Sequence, residues 1–211
     1  MTSPCYLLID LEATCAHDGS LAPREMEIIE IGAVMVAVDS FATVGEFQSF
    51  VRPKRHPRLT PFCTQLTSIR QQDVDAAETF PEVMRRFREW IYGHEVTAWA
   101  SWGDYDRKQF EQDCALHGQP WPFGFHHKNF KEVLRARHNE TKRLGLGGAI
   151  ARAGLTFVGT PHRGIDDARN IAQLMPFIVG DAKLPAQPKP RADSRGAKGT
   201  MRAGRVRTSR S

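Results

Sequence analysis

The sequence predicts an α/β fold, in which a mixed β-sheet is flanked by helices on both faces. Apolar, β-branched runs dominate the first fifty residues, a clear amphipathic helix pattern follows at residues 79–92, and strand and helix patterns alternate from there on. With 211 residues, of which 41% are hydrophobic, the chain suits one globular domain with a substantial core.

Three strands are expected first, paired as an antiparallel meander. An apolar run at residues 6–9 ends at Asp10, and residues 28–38 form a long β-branched run that suits a central strand. Residues 41–51 alternate more weakly and end at Arg52-Pro53.

Short helices are expected at residues 60–66 and 68–75. The first is indicated by Thr60-Pro61, which supplies a cap residue followed by proline at the first helical position. Residues 79–92 repeat apolar side chains every three or four positions, and Thr79 and Glu82 have the spacing of a capping box.

A fourth strand is predicted at residues 96–101. The helix after it carries Phe110, Cys114 and His117 along one side. Further helices are expected at 129–138, 146–153 and 165–178, which places helices on both faces of the sheet.

The positive charge of the chain is concentrated in its last residues. The net charge is +5, but residues 183–211 contribute +8 and leave residues 1–182 at −3. The nine basic residues of this tail are Lys183, Lys189, Arg191, Arg195, Lys198, Arg202, Arg205, Arg207 and Arg210. With few large apolar side chains, residues 183–211 are expected to form a disordered tail behind a globular domain at 1–182. The tail either contacts a phosphate backbone or only aids solubility.

Several classes of protein are excluded by the composition. The first residues lack the pattern of a signal peptide, and no run approaches the ~20 apolar residues of a membrane span. Four cysteines are scattered without a Cys-x-x-Cys pair: Cys5, Cys15, Cys63 and Cys114. We therefore expect reduced thiols in a cytoplasmic protein that does not bind a membrane, rather than a disulfide framework or a zinc site.

Acidic residues follow the first strand. Asp10 and Glu12 are two positions apart, so a strand would direct both to one face, where they could share a hard cation. A solvated strand end is the alternative. Asp106 stands where the fourth strand has ended and a helix begins, a position that can aim a side chain across the carboxyl edge of the sheet.

A histidine and two aspartates lie near the end of the domain. His162 is in a loop marked by Gly and Pro, and Asp166 and Asp167 stand at a helical start. A loop histidine and a first-turn aspartate can face one centre, with the aspartate binding metal and the histidine reaching an attacking water. Taken singly, each residue could instead be a helix cap or a surface side chain.

These motifs, taken in order, resemble those of the DEDDh 3′→5′ exonucleases, and more closely the enhanced-RNAi (ERI-1-like) branch of that group. The matching segments are Asp10-Leu11-Glu12-Ala13-Thr14-Cys15, Phe62-Cys63-Thr64-Gln65-Leu66-Thr67-Ser68-Ile69, Thr79-Phe80-Pro81 and His162-Arg163-Gly164-Ile165-Asp166-Asp167-Ala168-Arg169-Asn170-Ile171-Ala172. The resemblance covers residues 5–180 and implies a ribonuclease H-like fold. The basic tail has no counterpart in it.

The resemblance implies a role for each matched residue. It makes Asp10, Glu12, Asp106 and Asp167 the metal ligands and His162 the general base. Asp106 is preferred to Asp104 because Tyr105 precedes it and Phe110 follows four residues later, as in the family's second motif. Asp167 supplies the His-x4-Asp spacing, which leaves Asp166 as the expected cap of the last helix.

Oxygen ligands of this kind suit Mg²⁺ or Mn²⁺, and the resemblance implies two ions per site. Four carboxylates around one point also repel one another, so without cations their pKa values should be raised. Histidine can accept the proton of the attacking water near neutral pH.

For the substrate, the resemblance points to the chain after the acidic pair, at Ala13 and Thr14, and to Leu66 and Tyr105 as contacts to terminal bases, beside Glu12 and His162. RNA 3′ ends are favoured over DNA. The alternatives are a DNA exonuclease of the same group and a catalytically weak nucleic-acid-binding module.

Overall fold

The computed structural model describes residues 4–186, which form a five-stranded mixed sheet with helices on both faces, as predicted. The strands are β1 (Cys5–Ala13), β2 (Ile28–Ala37), β3 (Thr43–Phe50), β4 (Val96–Ser101) and β5 (His127–Asn129). Their spatial order is β3-β2-β1-β4-β5. The first three strands pair antiparallel, and β4 and β5 run parallel to β1.

Eight helices cover this sheet in the described part of the chain. They are α1 (Pro61–Thr67), α2 (Gln71–Asp75), α3 (Phe80–Tyr92), α4 (Tyr105–His117), α5 (Phe130–Arg137), α6 (Leu146–Arg152), α7 (Gly164–Gln173) and α8 (Met175–Ile178), with a single 3₁₀ turn at Pro23–Glu25. Helices α3 and α4 contribute to one hydrophobic cluster, and α5 to α8 contribute to a second one on the opposite face.

The alternation of β1 places the acidic pair. Ile9 is buried in the cluster of α3 and α4, whereas Leu8 is buried in the cluster of α5 to α8. Since side chains two positions apart share a face, Asp10 and Glu12 continue the face of Leu8, toward α7. The strand also extends through both acids to Ala13, further than the apolar run alone indicated.

One predicted helix is wrong as a single element. Residues 165–178 form two helices, because α7 ends at Gln173 and α8 begins at Met175. Pro176 has no N–H for the helical ladder, and its ring would clash with the carbonyl of Ala172 four residues earlier, which prevents a continuous helix.

Two further differences have local causes. Helix α2 begins only at Gln71 rather than at residue 68, because Ser68 closes the preceding helix with a φ of 60°. Strand β5 was not predicted, since His127-Lys128-Asn129 shows no apolar alternation and pairs only with the end of β4.

Most of the basic tail lies outside the described residues, which end at 186. Before that point Leu184 packs against the cluster of α5 to α8, and the carbonyl of Pro185 accepts a 2.6 Å hydrogen bond from Arg152 Nη1. Within residues 4–186, no helix has the length and apolar character that crossing a membrane requires.

Helix α7 begins in direct contact with the sheet. A Cβ placed on Gly32 of β2 would lie 2.0 Å from the carbonyl carbon of Gly164 and 2.1 Å from the backbone nitrogen of Ile165. These atoms belong to the backbone and cannot rotate away. Glycine at position 32 therefore sets how closely the start of α7 approaches the edge of β1.

We expect Gly32→Ala to destabilise the protein by about 1–3 kcal/mol or more, because the added methyl group forces backbone atoms apart. Urea unfolding measures the change. Gly45→Ala in β3 is the matched control, since a Cβ there meets the end of the His94 side chain at 3.2 Å, which can move. Equal losses in the two variants would contradict the proposed close approach.

Candidate active site

A cleft of about 310 Å³ opens at the carboxyl end of β1. Strand β1 provides its floor, and helices α1, α4, α6 and α7 provide its walls. The lining residues are Asp10, Leu11, Glu12, Ala13, Cys15, Leu66, Trp102, Tyr105, Asp106, Leu146, His162 and Asp167. All five residues predicted to act on metal and water are therefore together at one site.

Asp106 reaches the cleft from the first turn of α4 and is only 4% exposed. Its Oδ1 accepts a 3.0 Å hydrogen bond from the backbone N–H of Leu11, which ties α4 to β1 between the two acids of that strand. Asp104 lies outside the cleft, with its carboxylate accepting from Asn129 Nδ2 at 3.0 Å. The structure thus brings Asp106, and not Asp104, to the acidic pair.

His162 and Asp167 complete the cluster. One potential ligand atom from each of Glu12, His162 and Asp167 lies within 4.8 Å of the others. Oδ1 of Asp167 is buried and has no hydrogen-bond partner. A buried carboxylate oxygen without a donor fits a position that a divalent cation would occupy, and the surrounding carboxylates are the donors that hard cations prefer.

Asp166 does not cap the last helix, so that expectation is wrong. Its Oδ2 accepts from the backbone N–H of Thr160 at 2.9 Å, and its Oδ1 pairs with Arg169 at 3.0 Å. The N-cap position of α7 is Arg163, whose side chain makes no capping hydrogen bond. Asp166 instead holds the loop that precedes His162. Consecutive residues in the first turn of a helix point to different sides, so Asp166 meets this loop while Asp167 lines the cleft.

The carboxylates of the cleft have raised pKa values, as their crowding predicted. Burial is the main cause for each, and for Asp10, Glu12 and Asp167 the neighbouring carboxylates add to it. The pKa of Glu12 rises to about 9 and that of Asp167 to about 7, while that of Asp10 is raised well above its ordinary value. The pKa of Asp106 rises to about 6 through burial, opposed by the hydrogen bond from Leu11. The cluster therefore favours protonation until a cation compensates the charge.

The predicted substrate contacts divide into two groups. Ala13, Leu66 and Tyr105 line the cleft, and Tyr105 is 49% exposed, which leaves its ring accessible to a base. Thr14 does not line the cleft. Its hydroxyl accepts a 2.9 Å hydrogen bond from the backbone N–H of Glu27, so its side chain serves the β1–β2 connection.

Two apolar residues that line the cleft, Trp102 and Leu146, were not predicted from the sequence. Trp102 is 9% exposed and lines the cleft, with Nε1 donating to the carbonyl of Leu144 at 3.0 Å. Leu146 lines the cleft from the start of α6. The position of Trp102 directly after a strand that leads to Asp106 was the available signal.

A thiol pair beside the cleft was also missed. Cys15 lines the cleft, and its thiol lies beside that of Cys63 on α1, whose Sγ donates to the carbonyl of Ala13 at 3.6 Å. The contact between the two thiols lowers the pKa of Cys63 to about 7 and raises that of Cys15. The wide separation of the two cysteines in sequence concealed the contact.

Comparison with known proteins gives a consistent result. The exonuclease family RNase_T matches residues 7–175. The chain is 32% identical to ERI1 exoribonuclease 2 of Danio rerio over 90% of its own length, but it spans only 39% of that relative. It is 31% identical to the probable 3′-5′ exonuclease KapD of Bacillus subtilis, covering 90% of this chain and 92% of that one.

Among solved structures, the nuclease domain of 3′hExo, described as a DEDDh family member bound to rAMP, superposes with a TM-score of 0.75 at 27% identity. The match covers 87% of this chain and 97% of that domain. The five-stranded sheet with its flanking helices is therefore the fold of these exonuclease domains.

We expect the metal-free protein to lose stability as the pH rises from about 4 toward 9. The folded protein holds protons on Glu12, Asp106 and Asp167 up to pH values of about 9, 6 and 7, above the ordinary values of 4.5, 3.8 and 3.8. The contribution of these protons to the free energy of unfolding is complete below the pKa values of the unfolded chain. It is lost as the pH rises through the pKa values of the folded protein. Thermal unfolding with a chelator measures this slope, and added Mg²⁺ should reverse the loss at pH 8.

The matched control for this measurement is Asp113→Asn. Burial raises the pKa of Asp113 to about 7, but the residue lies outside the cleft. The variant should change the slope in chelator and leave the stabilisation by Mg²⁺ intact, whereas Asp167→Asn should diminish that stabilisation. Equal stabilisation of Asp167→Asn and wild type would contradict the assignment.

Proposed function

This chain belongs to the exonuclease (RNase_T) family, in agreement with its resemblance to the DEDDh exonucleases, and we propose that it hydrolyses RNA from the 3′ end. Each cycle would consume one water and release one 5′-mononucleotide. The chain spans less than half of the length of the curated ERI1 exoribonuclease 2 sequences it matches.

One observation carries the proposal: four carboxylates and His162 face a single cleft that is large enough for little more than one nucleotide. Its volume of about 310 Å³ lies at the lower end of the ~300–1,000 Å³ typical of ligand sites. A narrow cleft at the end of a sheet suits the end of an RNA strand better than the middle of a folded RNA.

The residues would divide the work by position. Asp10, Glu12, Asp106 and Asp167 would hold divalent cations, which would supply positive charge to the phosphate and acidify a water. His162 is exposed at the cleft and would accept the proton of the attacking water. The scissile P–O bond would break as the water oxygen bonds to phosphorus, and the leaving oxygen would take up a proton, which gives the shortened RNA a new 3′ hydroxyl.

The choice of Mg²⁺ or Mn²⁺, with two ions per site, belongs to this proposal. The side chains of the cleft that could bind a metal are mostly carboxylates, and among the described residues there His162 is the single one that offers a nitrogen ligand. Carboxylate and water ligands suit Mg²⁺ and Mn²⁺ better than softer metals.

The terminal nucleotide would be held by apolar contacts and by the backbone. Tyr105 and Leu66 would contact the terminal bases, and Trp102, which also lines the cleft, would supply a further aromatic face. Stacking on an aromatic side chain contributes ~1–3 kcal/mol per base. The backbone at Ala13 would meet the 3′ hydroxyl. RNA is favoured over DNA because several of the curated relatives are named exoribonucleases and the solved domain is bound to rAMP.

We expect 5′-labelled single-stranded RNA to be shortened stepwise from its 3′ end in the presence of Mg²⁺ or Mn²⁺ and to stay intact with chelator. Asp106→Asn should abolish this ladder. Asp104→Asn is the matched control, because Asp104 lies two residues away and outside the cleft, and it should retain activity.

Labelled DNA of the same sequence, assayed in parallel, measures the sugar preference. Faster digestion of DNA would replace the RNA proposal with the DNA alternative. Binding of both substrates without any digestion by the wild-type protein would favour the nucleic-acid-binding module.

We propose that the basic tail binds the phosphates of RNA. The basis for this proposal is the charge of the tail alone. Removing residues 187–211 leaves the contacts of Leu184 and Pro185 in place. We expect the truncated protein to bind long RNA more weakly and with a flatter salt dependence, because each lost phosphate contact reduces counterion release. Turnover of short oligonucleotides should not change. An unaltered salt slope, measured by fluorescence anisotropy, would contradict this role.

A further inference from the structure

Glu30 is a buried acid next to the cleft that the proposed reaction does not use. It lies on β2 directly opposite Glu12 of β1, so the two side chains point to the same face of the sheet. Glu30 is completely buried, and it does not line the cleft. Burying a carboxylate costs free energy unless hydrogen bonds or an opposite charge compensate it, so a buried acid such as Glu30 is expected to have a specific role.

The carboxylate of Glu30 is fully engaged by the protein. Oε2 accepts from Arg163 Nε at 3.0 Å and from the backbone N–H of Gly164 at 3.1 Å. Oε1 accepts from Arg163 Nη2 at 3.1 Å and from Gln48 Nε2 at 2.9 Å. Both oxygens thus have two donors each, which accounts for the buried charge and leaves Glu30 unavailable as a further metal ligand.

Three of these four hydrogen bonds come from the two residues that follow His162. The backbone of His162 has a φ of 61°, a left-handed conformation that non-glycine residues seldom adopt. Such a conformation persists only where the surroundings impose it. The anchoring of Arg163 and Gly164 on Glu30 is the contact best placed to impose it.

The guanidinium of Arg163 is itself fixed on a second side. It lies 5.2 Å from the centroid of the Phe50 ring, on β3, where Phe50 pairs with Glu30 across the sheet. The planar guanidinium therefore matches both a carboxylate and an aromatic face, a combination that lysine cannot reproduce.

We propose that Arg163 is a positioning residue for His162, and that its paired hydrogen bonds to Glu30 hold the imidazole where it meets the attacking water. This inference rests on the proposed function, since it assigns His162 the role of general base. Loss of the paired contact would lower kcat and leave KM unchanged, because Arg163 does not line the cleft that holds the substrate.

The test compares Arg163→Lys with Arg86→Lys. The first variant keeps the positive charge beside buried Glu30 but loses the two parallel hydrogen bonds. The second is matched to it, since Arg86 on α3 also combines a carboxylate, that of Glu78, with an aromatic face, that of Phe47, and does not line the cleft. We expect kcat to fall about tenfold or more in Arg163→Lys, because a shift of ~1 Å can cost about 10²-fold in rate. Arg86→Lys should keep the wild-type kcat.

A second readout does not depend on activity. The imidazole ¹H–¹³C signals of His162, assigned by their loss in His162→Gln, should shift or broaden in metal-free Arg163→Lys and stay unchanged in Arg86→Lys. The double variant Glu30→Gln/Arg163→Gln, which leaves no buried charge unpaired, should reproduce both effects.

Lower thermal stability of Arg163→Lys with wild-type kcat and unchanged His162 signals would overturn the inference and leave Arg163 a purely structural residue. Absence of nuclease activity in the wild-type protein would contradict the proposed function. In that case the His162 signals would still decide whether Arg163 positions the loop.

Discussion

Repulsion among four carboxylates at the end of β1 is the constraint on which the rest of the structure depends. Asp10, Glu12, Asp106 and Asp167 come from three different elements and share one cleft. Burial raises the pKa of all four, and repulsion by neighbouring carboxylates adds to it for Asp10, Glu12 and Asp167, so the cluster is costly in the absence of cations. The fold must therefore hold these groups together by contacts elsewhere.

Helix starts and close backbone packing supply those contacts. Asp106 and Asp167 lie in the first turns of α4 and α7, where the helix dipole favours negative charge. The Leu11–Asp106 hydrogen bond ties α4 to β1, and the approach of α7 to Gly32 places Asp167 over the same strand end. Both helices are also held by the two hydrophobic clusters, which makes the site the meeting point of both faces of the domain.

Buried acids outside the cleft act as supports for its loops. Glu27 is 1% exposed and accepts from the backbone N–H groups of Lys54, Arg55 and His56 at 2.6–3.0 Å, which fixes the chain that leads from β3 to α1. Glu30 does the same for the loop that carries His162. Each compensates its charge within the protein, so the carboxylates of the cleft are the ones left for a cation.

Much of this site was predictable from the sequence alone. The alternation of β1 placed Asp10 and Glu12 on one face, and the resemblance to the DEDDh exonucleases selected Asp106 and Asp167 over their neighbours. The break at Pro176 was also visible locally, but it was overlooked. Only the tertiary structure could turn Thr14 away from the cleft, bring Trp102 into it and pair Glu30 with Arg163. The physical reason is that strand periodicity and helix starts are local, whereas the partner of a buried charge is decided by packing between residues far apart in the chain.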